Sequence, residues 1–215
     1  MTLFNRRNLI IGAGVMGAAA VSASYLLNSR AAEASVSNGA RAPAFSARDA
    51  SGATRTLSEF AGRTVILEWT NNGCPYVRKH YDGGNMQSTM RDAIAGGAVW
   101  LSVISSAPGE QGYADGAQAL SIARAANASP TAILLDPAGT VGHAYGARTT
   151  PHMFIVNPQG AIVYQGAIDD RPRAAASSLE GATNYVRAAL ADLNAGRAVS
   201  TAQTTPYGCS VKYAS

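Results

Sequence analysis

The sequence has little charge and no concentration of basic residues. Charged side chains make up 14% of the 215 residues and apolar ones 47%, so the chain can bury a full core and is not disordered as a whole. Once Arg6, Arg7, Arg30 and Glu33 of the first 34 residues are set aside, 14 basic and 12 acidic side chains remain. With its arginines scattered, this balance gives no support for a nucleic-acid partner.

A second cysteine is missing near the first. Cys74 lies directly before Pro75 in the stretch TNNGCPYVRKHY, and Asn71 and Val77 occupy the nearby positions where a partner would be sought. A local Cys-x-x-Cys disulfide therefore cannot form here. The only other cysteine of the chain is Cys209, close to the C-terminus.

The N-terminus reads as a targeting segment. Arg6 and Arg7 precede the uncharged stretch Leu9–Leu27, and Ala32-Glu33-Ala34 offers small residues to a signal peptidase. NRRNLI is similar to a twin-arginine export signal. We expect residues 1–34 to be a cleaved signal or, alternatively, a retained membrane anchor, with residues 35–43 as a linker. Either way the domain lies outside the cytoplasm, in the periplasm or an equivalent compartment, where disulfides persist.

The pattern from residue 44 to 195 alternates strands and helices. A hairpin is predicted at Phe45–Arg48 and Thr54–Thr56, then a buried strand at Thr64–Trp69 and a helical stretch, Cys74–Ala95, interrupted at Gly83-Gly84. The later predictions are strands Ala98–Ile104 and Ile133–Asp136, helices Ala117–Ala126, Val141–Tyr145 and Asn184–Asn194, and a hairpin of Met153–Asn157 with Ala161–Gln165. This order predicts an α/β domain whose central mixed sheet has helices on both faces and an N-terminal β-hairpin extension. Residues 196–215 form a tail that carries Cys209.

The position of Cys74 at the start of a helix favours its thiolate. Unpaired backbone N–H groups and the positive end of the helix dipole both stabilise a negative charge there. Thiol pKa values at such positions fall to roughly 3.5 to 7.5, and the thiolate is the nucleophile towards disulfides and peroxides. The alternative interpretation is a small buried apolar residue.

Four stretches carry a resemblance to a known family: VILEWTNNGCPYVRKHYDGGNMQ, YGARTTPHMFIVNPQGAIVYQGAIDD, ATNYVRAAL and YGCSVKY. Together they resemble bacterial thioredoxin-family proteins of the peroxiredoxin-like class, which includes alkyl hydroperoxide reductase and thiol-specific antioxidant proteins. The resemblance implies a thioredoxin fold, Cys74 as the nucleophile, a peroxide or protein disulfide as substrate, an external thiol reductant and no cofactor. Asn71 and Leu67 depart from the residues usual in that class, which puts the standard peroxide pocket in doubt.

The resemblance also implies a substrate-binding turn. Thr150-Pro151 is similar to the thioredoxin-fold turn whose proline is cis and lies against the active cysteine. In that family the backbone of the residue before the proline binds a substrate chain. We therefore expect Pro75, Thr150, Pro151 and His152 to form the substrate-binding residues, although a histidine at such a place is more often a packing residue.

Two charged side chains are candidates for assisting Cys74. Arg148 could stabilise the thiolate or polarise a peroxide, with Arg78 as a competitor on the same helix and a solvated surface arginine as the plain alternative. Glu68 lies within the buried strand, where burial would raise its pKa and suit it to proton transfer. A salt bridge from Glu68 to Lys79, Arg78 or Arg148 is the other interpretation.

Cys209 has two interpretations. It is either a resolving thiol that forms a disulfide with oxidised Cys74, or half of a permanent disulfide that holds the tail. Tyr207, Val211 and Tyr213 suggest that the tail docks. The leading hypothesis is an exported thiol-dependent oxidoreductase, either a peroxiredoxin-like antioxidant or a thiol-disulfide exchange protein. The alternative is a non-enzymatic binding module or a copper-handling protein in which the Cys74–Cys209 disulfide is structural.

A copper site would draw on Cys74, His152, Cys209 and Met86. Related copper-delivery proteins have a second cysteine where this chain has Arg78. We therefore predict no metal ligands.

Overall fold

The computed structural model describes residues 36–214. The predicted signal segment lies outside these residues. Within them, no helix has both the length and the apolar character needed to cross a bilayer.

The central sheet has seven strands in the order β2-β1-β5-β4-β3-β7-β8. β3, β4 and β5 are parallel, while β7, β8, β1 and β2 join antiparallel. The strand bounds are β1 Ser46–Asp49, β2 Thr54–Thr56, β3 Val65–Trp69, β4 Val99–Ile104, β5 Ala132–Leu135, β6 Thr149–Thr150, β7 His152–Val156, β8 Ile162–Gly166 and β9 Cys209–Ser210. The mixed sheet and its N-terminal hairpin confirm the predicted fold class.

The helices cover both faces of this sheet. They are α1 Pro75–Asp82, α2 Asn85–Ala95, α3 Gly116–Ala125, α4 Thr140–Tyr145 and α5 Tyr185–Asn194, with 3-10 turns at Leu57–Phe60 and Ala176–Leu179. On one face Tyr145 of α4 joins the core cluster of Leu67 and Trp69. On the other, Met86 and Val186 pack in the cluster of strand residues such as Ile66 and Trp100. Alternate side chains of β3 therefore pack into two different cores, as expected for a strand buried on both faces.

The predicted interruption of the first helical stretch is confirmed. α1 ends before Gly83 and α2 begins after Gly84, which has a φ of 69°. This left-handed backbone suits glycine, because other residues adopt it only with strain. A side chain at Gly83 would also collide with Leu179.

The C-terminal tail is part of the packed domain. Its strand β9, which the sequence did not indicate, pairs antiparallel with β6, with Thr150 opposite Cys209. Beyond it, the N–H of Val211 donates to the carbonyl of Arg148 at 3.0 Å. The Tyr213 hydroxyl donates to the carbonyl of Ala147 at 2.7 Å. The tail therefore docks on the domain, as the residues Tyr207, Val211 and Tyr213 predicted.

Asp136 fixes the helix that leads into β6. Its side chain is 5% exposed. It accepts hydrogen bonds from the N–H groups of Val141 and Gly142 at 3.1 and 2.9 Å and from the Ser105 hydroxyl at 2.7 Å. These bonds satisfy donors at the start of α4 that the helix itself leaves unpaired.

We expect Asp136→Ala to lower the free energy of unfolding by about 3 kcal/mol, because it leaves buried donors without a partner. Urea denaturation followed by fluorescence measures this. The matched control is Asp115→Ala, which removes the exposed cap of α3 and should cost about 1 kcal/mol. Equal losses in the two variants would contradict the role given to burial.

Candidate redox site

The loop after β3 delivers Cys74 to the start of α1. Cys74 is the N-cap residue, with extended backbone angles, and Pro75 occupies the first turn, where its missing N–H costs nothing. Asn71 shapes this loop: its side chain accepts from the N–H of Gly73 at 2.8 Å and donates to the carbonyl of Gln111 at 3.0 Å. The amide oxygen and the amide nitrogen of Asn71 are thus both hydrogen-bonded to backbone groups of the surrounding loops.

The two cysteines meet at this helix start. The Sγ atoms of Cys74 and Cys209 lie 2.6 Å apart, and both are free thiols in the structure. A disulfide needs about 2.05 Å, so a small side-chain movement would join them. Cys74 is fully buried, whereas Cys209 is partly exposed. The structure therefore places the Cys209 sulfur against Cys74, and the roles of the two cysteines stay predictions.

The predicted cis peptide bond is present between Thr150 and Pro151. The Thr150 carbonyl lies 3.1 Å from the Cys74 Sγ, within reach of the protonated thiol. Pro151 and His152 are buried, and Pro75 is exposed at the edge of the site. The structure thus gathers the predicted substrate-binding residues around the two sulfurs, and their part in binding stays a prediction.

Gly208 allows the tail to reach this turn. It has a φ of 137°, and a Cβ at this position would lie 2.0 Å from the carbonyl oxygen of Thr150. Only glycine therefore permits the approach that brings Cys209 over Cys74. Sequence reasoning missed Gly208 as a functional residue, although a glycine directly before a cysteine in a docking tail is the signal that could have found it.

The electrostatics of the site favour the thiolate at Cys74 over the thiolate at Cys209. Burial raises the pKa of Cys74, but hydrogen bonding from Cys209, with further contributions from the N–H of Val77 and from Thr150, outweighs burial and lowers that pKa overall. Burial and the neighbouring Cys74 raise the pKa of Cys209 to about 11. Of the two sulfurs, Cys74 therefore loses its proton more readily, and the Cys209 thiol is the donor in the hydrogen bond between them.

Glu68 is buried, as predicted, but has neutral partners. Its carboxylate accepts from the Tyr81 hydroxyl at 2.8 Å, the Trp100 Nε1 at 2.9 Å and the Ser102 hydroxyl at 3.0 Å. Burial raises its pKa despite these bonds. In residues 36–214 no salt bridge or sulfur hydrogen bond involves Glu68, so the salt-bridge interpretation was wrong and a proton-transfer role has no direct contact behind it.

Neither arginine candidate contacts Cys74. The Arg148 side chain is exposed, and within the described part of the chain its guanidinium makes no hydrogen bond to a sulfur. Arg78 is 66% exposed and pairs loosely with Asp82 at 3.7 Å. The expected arginine beside the thiolate is therefore not in place in this arrangement, which suits a surface role for both side chains.

The histidines serve packing and hydrogen bonding. His152 accepts from the N–H of Arg148 at 3.3 Å, and burial, with the Arg148 charge, lowers its pKa to about 3. Met86, the other non-cysteine candidate for copper, is buried in a core cluster with Trp100. Among the residues from 36 to 214, no three His, Cys, Asp or Glu side chains are grouped so as to hold a metal ion.

The chain matches a family model over the part that contains Cys74. The model of the AhpC/TSA family matches residues 38–165, a segment that contains Cys74 and the cis turn but ends before the tail. No curated protein matches the sequence significantly.

Several solved structures are similar to this chain. A hypothetical protein from Sinorhizobium meliloti 1021 has a TM-score of 0.71 and 25% identity, with 84% of this chain and 97% of that one covered. An uncharacterized conserved protein from Geobacillus kaustophilus has 0.71 and 22%, covering 83% and 93%. The thioredoxin domain of a thiol-disulfide oxidoreductase from Bacteroides vulgatus has 0.51 and 21%, covering 68% and 98%. With this thioredoxin fold and a family match over more than half its length, the chain belongs to the AhpC/TSA family of redoxins.

Proposed function

We propose that this protein is a thiol-dependent oxidoreductase that cycles between a Cys74/Cys209 dithiol and a Cys74–Cys209 disulfide. The observation that carries the proposal is the 2.6 Å separation of the two sulfurs at a helix start. One sulfur is favoured as thiolate and the other as thiol, which is the division of roles that a nucleophile and a resolving thiol need. Membership of a thiol oxidoreductase family supports the same conclusion.

With a disulfide as substrate, two exchanges complete the oxidation of the protein. The Cys74 thiolate attacks one substrate sulfur, forms a mixed disulfide and releases the other substrate sulfur as a thiolate, which takes up a proton. Cys209 then loses its proton and attacks the Cys74 sulfur, so that the second substrate thiol leaves. The substrate gains two electrons. An external dithiol reductant returns the protein to its reduced form by the reverse exchanges.

A hydroperoxide is the second candidate substrate, and membership of the AhpC/TSA family favours it. Here the Cys74 thiolate attacks the distal oxygen and the O–O bond breaks, so that Cys74 becomes a sulfenic acid and the alkoxide leaves and takes a proton from solvent. The Cys209 thiol then condenses with the sulfenic acid, forming the same disulfide and water. The exposed positions of Arg148 and Arg78 count against this substrate, because neither guanidinium stands ready to polarise a peroxide. We therefore place disulfide exchange first.

The proposed place of action is outside the cytoplasm. This rests on the twin-arginine-like segment of residues 1–34. An oxidising compartment suits a protein whose two cysteines cycle through a disulfide.

Replacing each cysteine separates the two proposed roles. We expect Cys74→Ser to reduce turnover of a model disulfide such as insulin to background, because serine is a far weaker nucleophile. Cys209→Ser should still attack once and then accumulate the mixed disulfide, since the resolving thiol is gone. Mass spectrometry of trapped adducts and a parallel hydroperoxide assay measure both. Full activity of Cys74→Ser in both assays would rule out the proposal.

The hydrogen bond between the sulfurs gives a second expectation. In reduced Cys209→Ala the pKa of Cys74 should rise above that of the reduced wild type, because the thiolate loses its strongest hydrogen-bond donor. Thiolate absorbance at about 240 nm, followed against pH, measures the midpoint. Thr205→Ala is the control, since that side chain is exposed on the tail four residues before Cys209. An unchanged or lower midpoint in Cys209→Ala would contradict the donor role of Cys209.

A further inference from the structure

A buried ion pair lies beneath the tail beside the redox site. Lys79 of α1, five residues after Cys74, has a fully buried side chain, and its Nζ lies 3.2 Å from Oδ2 of Asp169, which is 1% exposed. The ammonium also donates to the carbonyl of Arg171 at 2.5 Å. A buried pair of this kind is stable only when its remaining hydrogen-bonding positions are also filled.

The hydroxyl of Tyr207 fills some of these positions, whereas Asp169 Oδ2 has the Lys79 ammonium beside it but no hydrogen bond among the described residues. The hydroxyl donates to Asp169 Oδ1, accepts from Lys79 Nζ at 3.1 Å and meets the Nε2 of His80 at 3.1 Å. A phenol has one donor and two acceptor positions, so this hydroxyl is fully used.

His80 is held in the tautomer that this arrangement needs. The amide nitrogen of Asn85 donates to its Nδ1 at 2.8 Å, and the Asn85 amide oxygen in turn accepts from Asn184 at 3.3 Å. The proton of the neutral ring therefore sits on Nε2 and points at Tyr207. Burial lowers the pKa of His80 to about 4 and so keeps the ring neutral.

Tyr207 is close to the redox site along the chain and in space. It lies two residues before Cys209, with Gly208 between them packed on Thr150. Its ring packs edge-on against Tyr76 of α1 at a centroid distance of 5.8 Å. Cys74 is completely buried and Cys209 of the tail lies against its sulfur, so movement of this part of the tail would open a path for a substrate.

We propose that Tyr207 is a positioning residue: its hydroxyl, bound to the buried Lys79–Asp169 pair, latches the tail over Cys74 and sets how often that sulfur is open to substrate. The proposal rests on the proposed function, for which access to Cys74 matters. Phenylalanine at this position would remove one hydrogen bond from each of three buried polar groups while the tail is docked, and of these Lys79 keeps the Arg171 carbonyl and Asp169 Oδ1 keeps the Arg171 N–H. The open form, in which water reaches those groups, would therefore become more populated.

The rate at which Cys74 is alkylated in the Cys209→Ser background measures this opening, because Cys74 is then the sole cysteine. We expect Tyr207→Phe to raise the iodoacetamide labelling rate, divided by the thiolate fraction, about tenfold, since bonds to charged groups are the strong ones. The rate should not change with urea below the unfolding transition, because a local opening exposes little surface. A structural weakening of the whole domain would instead make labelling rise with urea.

Two further variants in the same background interpret the result. Gly208→Ala should also speed labelling, because its Cβ would collide with Thr150 while the latch residues stay intact. Tyr113→Phe, at a tyrosine that is 40% exposed and off the tail, should label at the parent rate. If Tyr207→Phe labels within twofold of the parent, the latch is refuted, whether or not Gly208→Ala is faster.

Oxidation of the wild type separates this inference from the proposed function. Incubation with glutathione buffers, followed by mass spectrometry, shows whether a Cys74–Cys209 disulfide forms. Its absence would overturn the proposed redox cycle while the labelling comparison still tests the latch. A disulfide that forms in the wild type, together with unchanged labelling in Tyr207→Phe, would overturn the latch alone.

Discussion

The close approach of the Gly208-Cys209 backbone to the cis Thr150-Pro151 turn is the constraint on which the site depends. A strand pair of two residues each, β6 with β9, is too short to be stable alone. It persists because contacts on either side hold the tail: Val211 and Tyr213 after the cysteine, and the Tyr207 hydroxyl before it. Cys209 therefore lies between two fixed segments of the tail, which restrict the position of its sulfur.

One of the groups that hold the tail, the Tyr207 hydroxyl, binds a pair of buried charged side chains. Removing Lys79 and Asp169 from water costs several kcal/mol per ion unless each finds partners, and α1 supplies one ion while the segment after β8 supplies the other. Such a pair is weak evidence for stability. It does restrict the position of the tail, because only one placement of the Tyr207 phenol hydrogen-bonds to both ions and to His80. The polar cluster therefore specifies where the tail docks, whereas apolar packing alone would tolerate small slips.

Most of the fold could be predicted from the sequence, because buried strands such as VILEW and the glycine break at Gly83-Gly84 leave strong local patterns. The meeting of Cys74 with Cys209 could be proposed from a resemblance. The strand β9 could not, since a two-residue strand has no period to detect, and its pairing is set by distant Thr150. The environment of Glu68 and the exposure of Arg148 could not be predicted either. Each depends on which neighbour the folded chain places beside the side chain, and the sequence contains many arginines and aromatic residues that could have been that neighbour.

Reactivity and protection at Cys74 are linked through the same hydrogen bond. With the tail docked, Cys209 donates to the Cys74 thiolate and lowers its pKa, yet the same sulfur covers it. With the tail lifted, Cys74 becomes accessible but loses that donor, and only the helix start of α1 continues to favour the thiolate. Opening also relieves the burial that raises this pKa, so lifting the tail removes two opposing effects on the Cys74 sulfur. Covering the sulfur that the helix start favours as a thiolate limits its irreversible oxidation.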